Sequence, residues 1–321
     1  LHGLRAAAQA GLGDVEQARE MLAAGARVNP DAIQLLKITI QIQLATGGLE
    51  DAASNLKQAL LAHPDNQELL LLRASMAIQG NDKAAAMDAC RKVINQDPAK
   101  LITVYGRQAR LGLARLEILD KSLEQAQSTL EPLFKMNADD PEANYLGGML
   151  AFEQGNYDLA EERLLNVLKI APEHKQTQLL FGTVSYAQQD YEQAAYYIAS
   201  YVSAVPENLG ARKLLGRTYM MLGQHDEAQA TLQPALEDDT EDAELLALVG
   251  LSQLQQGNTV SGIQGLEHAL KVTPESVSLR EELAKAYISS GQTDRAIEEL
   301  KTILAEGGEE QQTEVLLVIA H

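Results

Sequence analysis

An alanine comes back every 34 residues in this chain, at Ala18, Ala52, Ala86, Ala126, Ala160, Ala194, Ala228 and Ala296, with Gly262 on the one remaining rung. A single step, Ala86 to Ala126, is 40 residues long. Pro30, Pro64, Pro98, Pro172, Pro206 and Pro274 keep the same spacing once that six-residue excess is removed. So do Gly13, Gly47, Gly155, Gly223, Gly257 and Gly291, five residues ahead of the same rungs. A constant period of this length marks a repeat array in which each unit buries its apolar face only against its neighbours. Length alone would divide 321 residues into about two or three globular domains. The period overrides that division and predicts one continuous array.

With the recurring alanine set at position 20, the repeats span 33–66, 67–100, 101–140, 141–174, 175–208, 209–242, 243–276 and 277–310. A truncated repeat covers 1–32 and a partial one 311–321, so the chain reads as a piece of a longer protein. Positions of roughly 2–14 predict a helix A, and positions 18–31 a helix B. In 175–208, Leu179, Gly182, Tyr186 and Ala187 share a face at three- and four-residue spacing, and Tyr191, Ala194, Ala195 and Ile198 form the facing stripe. Val205-Pro206 ends helix B, because proline cannot continue it. Gly148, Gly182, Gly216 and Gly250 hold position 8, with Ala74 and Ala284 in their place elsewhere. A mid-helix glycine costs about 1 kcal/mol relative to alanine. Four in register therefore predict a close helix A–helix B approach. Cys90 stands where other repeats have Leu56, Leu130, Leu164 and Leu232, which makes it a small buried hydrophobe. The excess residues in 101–140 predict one long helix over 101–119; the alternative is a longer A–B loop at Asp120-Lys121-Ser122.

Chemistry is scarce. The formal charge is 26 − 45 = −19. That balance disfavours nucleic acid and anionic membranes, which select clustered Lys and Arg. No stretch approaches the about 20 apolar residues of a membrane span. No HExxH, CxxC, phosphate-cradling glycine loop or GxSxG is present, so no catalytic residue, metal site or cofactor is expected. His63, His174 and His225 fall in turns and read as solvated. Glu161-Glu162, Glu281-Glu282 and Glu298-Glu299 are assigned to helix B or its outer edge, again as solvated faces.

The 34-residue period, the small residues at positions 8 and 20 and the terminal proline resemble the tetratricopeptide repeat. The resemblance implies an all-α, right-handed α-solenoid superhelix of about nine helix-turn-helix repeats. It also implies that helix A positions 2, 5, 9 and 12 line a concave groove. Between about 142 and 254 those positions carry Tyr145, Met149, Phe152, Thr183, Tyr186, Lys213, Arg217, Met220 and Leu251. Most are apolar or aromatic; Lys213 and Arg217 make one basic step. That strip predicts a groove for a protein or peptide segment, with the two cations pairing an acidic group. The competing reading makes the apolar members inter-repeat core and the cations ordinary surface charge. Position 9 is Thr183, Arg217 or Leu251 and never Asn, which does not fit the chaperone-tail clamp of some such proteins.

A narrower resemblance lies between about 141 and 321. It rests on Ala171-Pro172-Glu173-His174, Leu179-Leu180-Phe181-Gly182, Ala187 to Ala194, Val205 to Asn208, Ala211 to Leu215, Tyr219 to Gln224 and Leu316 to His321. These runs look like the TPR-repeat lipoproteins of the bacterial PEP-CTERM/exosortase system. That resemblance implies a periplasmic or outer-membrane-anchored scaffold in exopolysaccharide assembly and protein sorting. A cytoplasmic adaptor, or the regulatory arm of a larger enzyme, remains the alternative.

Overall fold

In the computed structural model, residues 14–28, 33–97, 102–238 and 241–306 are described, with Arg5 and Gln9 besides. All regular structure among them is α-helical, in seventeen helices. The chain divides after Asn156 into two compact units. The first holds α1 (Val15–Val28), α2 (Ile33–Ala45), α3 (Leu49–Ala62), α4 (Gln67–Gln79), α5 (Lys83–Ile94), α6 (Val104–Leu119), α7 (Leu123–Met136) and α8 (Pro141–Glu153). The second holds α9 (Tyr157–Ile170), α10 (Lys175–Ala187), α11 (Tyr191–Ala204), α12 (Leu209–Met221), α13 (His225–Asp238), α14 (Ala243–Gln255), α15 (Thr259–Val272), α16 (Val277–Ser289) and α17 (Thr293–Glu306). Helices of 13 and 14 residues alternate, within a residue of the predicted A and B segments. Only the repeat at 101–140 and α5 before it depart from this rhythm.

Each repeat closes on its small residues. The alanines on the 34-residue ladder are at most 1% exposed, and Gly262 is buried too. A Cβ on Gly182 would lie 2.5 Å from Ile198 Cγ1 and 3.2 Å from the Ala194 carbonyl oxygen. Gly262 takes an alanine rung because α14 and α15 meet backbone to backbone. A Cβ there would stand 2.8 Å from the Gly250 carbonyl, and one on Gly250 would stand 2.9 Å from the Gly262 carbonyl. Cys90 is buried, and burial pushes its thiol up to about 11. Between helices A and B, one residue per repeat has a left-handed backbone. It is glycine in five repeats and Asn81, Lys121 or Gln189 in the others, with φ of 57–66°.

Two further ladders run at the turns between helices. Asn66, Asp82, Thr103, Asp140, His174, Asp190, Asn208, Asp242 and Ser276 each accept from a backbone N–H in the first turn of the helix they precede. Such caps contribute about 1 kcal/mol apiece. Near the start of helix A, Asn144, Gln178, Arg212 and Arg280 donate to the carbonyls of Ala138, Pro172, Pro206 and Pro274 at 2.5–2.8 Å. They satisfy oxygens just beyond the preceding helix B, which no helical N–H reaches.

The six extra residues are not one long helix over 101–119. Leu101 lies outside the described residues, and the helix runs Val104–Leu119, 16 residues, three more than its counterparts. α5 stops two residues early, and the segment between α5 and α6 is five residues longer than elsewhere. The turn at Asp120-Lys121-Ser122 keeps the ordinary three residues. Asp97 explains the division. Its carboxylate accepts the Thr103 N–H and hydroxyl and pairs with Arg110, which ties Asp97 to the first two turns of α6 and to the residue that caps it. A Cβ on Gly106 would displace the Asp97 carboxylate from this position, so glycine there keeps the contact intact.

Two other expectations need correction. Glu281 and Glu282 lie on helix A (α16), not helix B, and Glu299 is drawn to Arg280 at 2.8 Å. The turn histidines are not simply solvated. His174 Nδ1 accepts the Thr177 N–H, while His63 and His225 are partly buried.

Candidate functional site

In the first unit, Tyr145 and Met149 stand one turn apart on α8. Both are partly buried against a cluster of Ala114, Ile118, Leu130, Leu146 and Leu150. Phe152 follows on the same helix and is also partly buried. Each therefore keeps some apolar surface in water while anchoring its own repeat.

In the second unit, Thr183 and Tyr186 lie on α10. The Thr183 hydroxyl donates to the Leu179 carbonyl at 2.8 Å. Tyr186 packs edge-on against Tyr191 with ring centroids 5.5 Å apart. Met220 rests on the cluster around Leu232, Leu245 and Leu248. Leu251 rests on the one around Leu246, Leu266 and Tyr287. All four are partly exposed. They join the inter-repeat core and the surface at once, so the two readings of the strip describe different faces of the same side chains.

The basic step is paired within the chain. Lys213 Nζ bonds Asp242 at 2.9 Å and also reaches Glu244, which Arg217 contacts from the other side. Asp242 and Glu244 open the next repeat, so these pairs clamp α12 to α14. Two other junctions carry the same device. Lys37 meets Glu68 at 2.8 Å, and Tyr105 donates to the same carboxylate. Arg107 holds Asp140 bidentately at 2.7 and 2.8 Å and reaches Glu142 at 2.7 Å. Arg107 sits in the first turn of the lengthened α6. The acidic partners escaped the sequence reading. Lys213 and Glu244 are 31 residues apart, and so are Lys37 and Glu68. That recurrence was the available signal.

Asp140, Asp242 and Glu68 titrate low. The Arg107 hydrogen bonds, joined by the Ala143 and Glu142 N–H groups, outweigh burial and hold Asp140 below its ordinary 3.8. At Asp242, burial pushes upward, but the Leu245 N–H and Lys213 prevail and the value falls. Lys37 and Tyr105 lower Glu68 from 4.5. A depressed folded-state pKa contributes stability that is present above the unfolded value and is lost as pH falls through the folded one. Thermal denaturation should therefore show a melting temperature that declines steadily once pH drops below about 4.5. Lys213 shifts the other way, since Glu244 and Asp242 overcome burial and raise it above 10.5. Its contribution is complete at neutral pH and is lost only in strong alkali.

Among the described residues, no group of three His, Cys, Asp or Glu side chains is placed to hold a metal ion. No described helix is long and apolar enough to cross a membrane.

Known families match this geometry. One tetratricopeptide repeat profile fits residues 39–100, 111–175 and 145–208, and another fits 185–251 and 253–315. The chain belongs to the tetratricopeptide repeat family. It is similar to the TPR repeat-containing protein PA4667 of Pseudomonas aeruginosa, with 28% identity over 170 residues, covering 50% of this chain and 27% of that protein. Among solved structures it resembles the APC/C hetero-tetramer Cut9–Hcn1, with a TM-score of 0.62 at 17% identity, over 85% of this chain and 54% of that one. It also resembles YrrB, described as a TPR protein with an unusual peptide-binding site, with a TM-score of 0.54 at 19% identity, over 61% of this chain and 98% of that one. The chain thus spans about a quarter of PA4667 and half of the Cut9–Hcn1 chain. TPR arrays are scaffolds for protein interaction, and this chain has that architecture.

Proposed function

We propose that this TPR chain is a non-catalytic scaffold that holds an extended or helical segment of a partner protein along its helix A positions. The carrying observation is the half-buried state of the strip: Tyr186, Met220 and Leu251 are fixed by the core beneath them yet keep apolar surface outside. Side chains already ordered lose little entropy on binding. The peptide-binding site of YrrB supports this use of the fold. Arg217 is the cation open to a partner carboxylate, with 43% of its side chain exposed, whereas Lys213 is 15% exposed and belongs to the junction clamp. A partner's acid joins Glu244 at Arg217 or displaces it.

The biological setting we infer is a bacterial envelope system for exopolysaccharide assembly and PEP-CTERM protein sorting. The runs between Ala171 and Gln224 support it. A host lacking the gene should lose exopolysaccharide or surface display of PEP-CTERM proteins; normal display and polymer would contradict this setting.

The binding test uses a partner captured by the full-length protein. Tyr186→Ala should weaken it with little dependence on salt, because the lost contribution is apolar burial. Arg217→Glu should weaken it by an amount that shrinks as salt rises, since exposed charges are screened over about 10 Å at 0.1 M. Unchanged affinity in both variants, with intact helicity, would move the site elsewhere.

A further inference from the structure

A second surface lies in the first unit, between α3 and α4. An apolar cleft of about 450 Å³ opens there, floored by Leu56, Leu60 and Met76 and edged by Leu61, Lys57 and Arg73. Two substitutions of the repeat pattern create it. Arg73 occupies the seventh position of its repeat, where Phe181, Leu215, Val249 and Leu283 fill the junction in four later repeats. Each of those is at most 4% exposed. An arginine there turns its charged end to water and leaves the junction unfilled. Leu61 is the opposite exchange. Its rung carries Asn95, Lys135, Lys169, Ser203 and Lys271 in other repeats, yet here a leucine stands 76% exposed. An apolar side chain turned outward and a cation at a position that four later repeats fill with an apolar residue, on facing walls of one cleft, contradict packing and therefore suggest a site.

The charge around it identifies the occupant's chemistry. Lys57 is exposed and has no ion pair among the described residues. Arg73 meets Asp88 only at 3.6 Å, and Asp88 is shared with Lys92 at 3.1 Å. The rim is thus positive in a chain of net charge −19. We propose that this cleft binds a partner-protein segment that presents leucine-like side chains to the Leu56–Leu60–Met76 floor and carboxylates to Lys57 and Arg73. This surface is separate from the helix A strip and does not depend on that reading.

The test titrates the full chain into a fluorescently labelled amphipathic peptide with a leucine stripe flanked by glutamates, and into a twin with lysines in place of the glutamates. Binding of the acidic peptide and not of its twin is expected, with hydrogen-exchange protection appearing in α3 and α4. Leu61→Glu, at an exposed position outside the core, should weaken binding about tenfold or more with helicity unchanged. Arg73→Leu should restore the apolar filling found in four later repeats, raising the melting temperature while abolishing binding. The proposal is overturned if the acidic peptide fails to bind or both peptides bind alike. It is also overturned if Leu61→Glu or Arg73→Leu leaves affinity unchanged. Self-association of the free chain that Leu61→Glu disrupts would assign the cleft to a second copy and overturn it as well. Tyr186→Ala serves as the control that should not affect this peptide.

Discussion

Gly182→Leu is expected to destabilise the second unit more than any exposed substitution on the same helix. The first added carbon would meet Ile198 Cγ1 at 2.5 Å and, behind it, the Ala194 carbonyl and the Ile198 nitrogen at 3.2 Å. A side chain can rotate away, but the backbone of α11 cannot. Overpacking of this kind costs about 1–3 kcal/mol, and obstruction by backbone places this variant at or above the top of that range. Gly216→Ala provides the contrast. The three atoms nearest its Cβ all belong to the Leu232 side chain, at 2.7–2.8 Å, so relief requires a side-chain movement and not a backbone one. Urea denaturation should give a lower midpoint for Gly182→Leu than for Gly216→Ala. Hydrogen exchange should locate the loss in α10 and α11 first, because repeat stability is set by nearest neighbours. Equal midpoints for Gly182→Leu and the wild type would show that the helices do not close on position 8.

Leu266→Ala should also cost several kcal/mol. Leu266 is fully buried at the centre of a cluster that includes Leu246, Ile263, Leu283 and Tyr287. Leu164 sits on the same rung of its own repeat and is likewise 0% exposed. Truncating either removes apolar contact and leaves a cavity that the stacked helices fill only in part, a loss of about 2–5 kcal/mol. Calorimetry should show the penalty in both variants; a loss well below 1 kcal/mol in Leu266→Ala would mean that the junction collapses onto the void.

The helices themselves were legible because their signals repeat. The alanine rungs, the small residues at position 8 and the left-handed glycines recur on one period, so each repeat checks the others. What escaped was of another kind. The six extra residues carry a helical pattern throughout, but where the helix begins depends on Asp97 folding back to meet Thr103 and Arg110, a tertiary contact. The strip positions were expected from the resemblance to the tetratricopeptide repeat, whereas the carboxylates facing Lys213 and Arg217 are 27 to 31 residues further on, across the next repeat junction. Gly262 looked like an interruption of the alanine ladder. It reflects a helix pair packed so closely that even a methyl group is excluded. The cleft at Leu61 and Arg73 could have been found by aligning the repeats and looking for positions where polarity reverses.

The most direct test of the central claim, that partners are held along the helix A strip, is site-specific photocrosslinking in the native host. A crosslinking amino acid would replace Tyr186 on the strip or, as control, Tyr196, an exposed residue of helix B. A discrete crosslinked partner is expected from position 186 and none from 196. Crosslinks from 196 alone, or from neither position while the full-length protein still captures its partner, would contradict it.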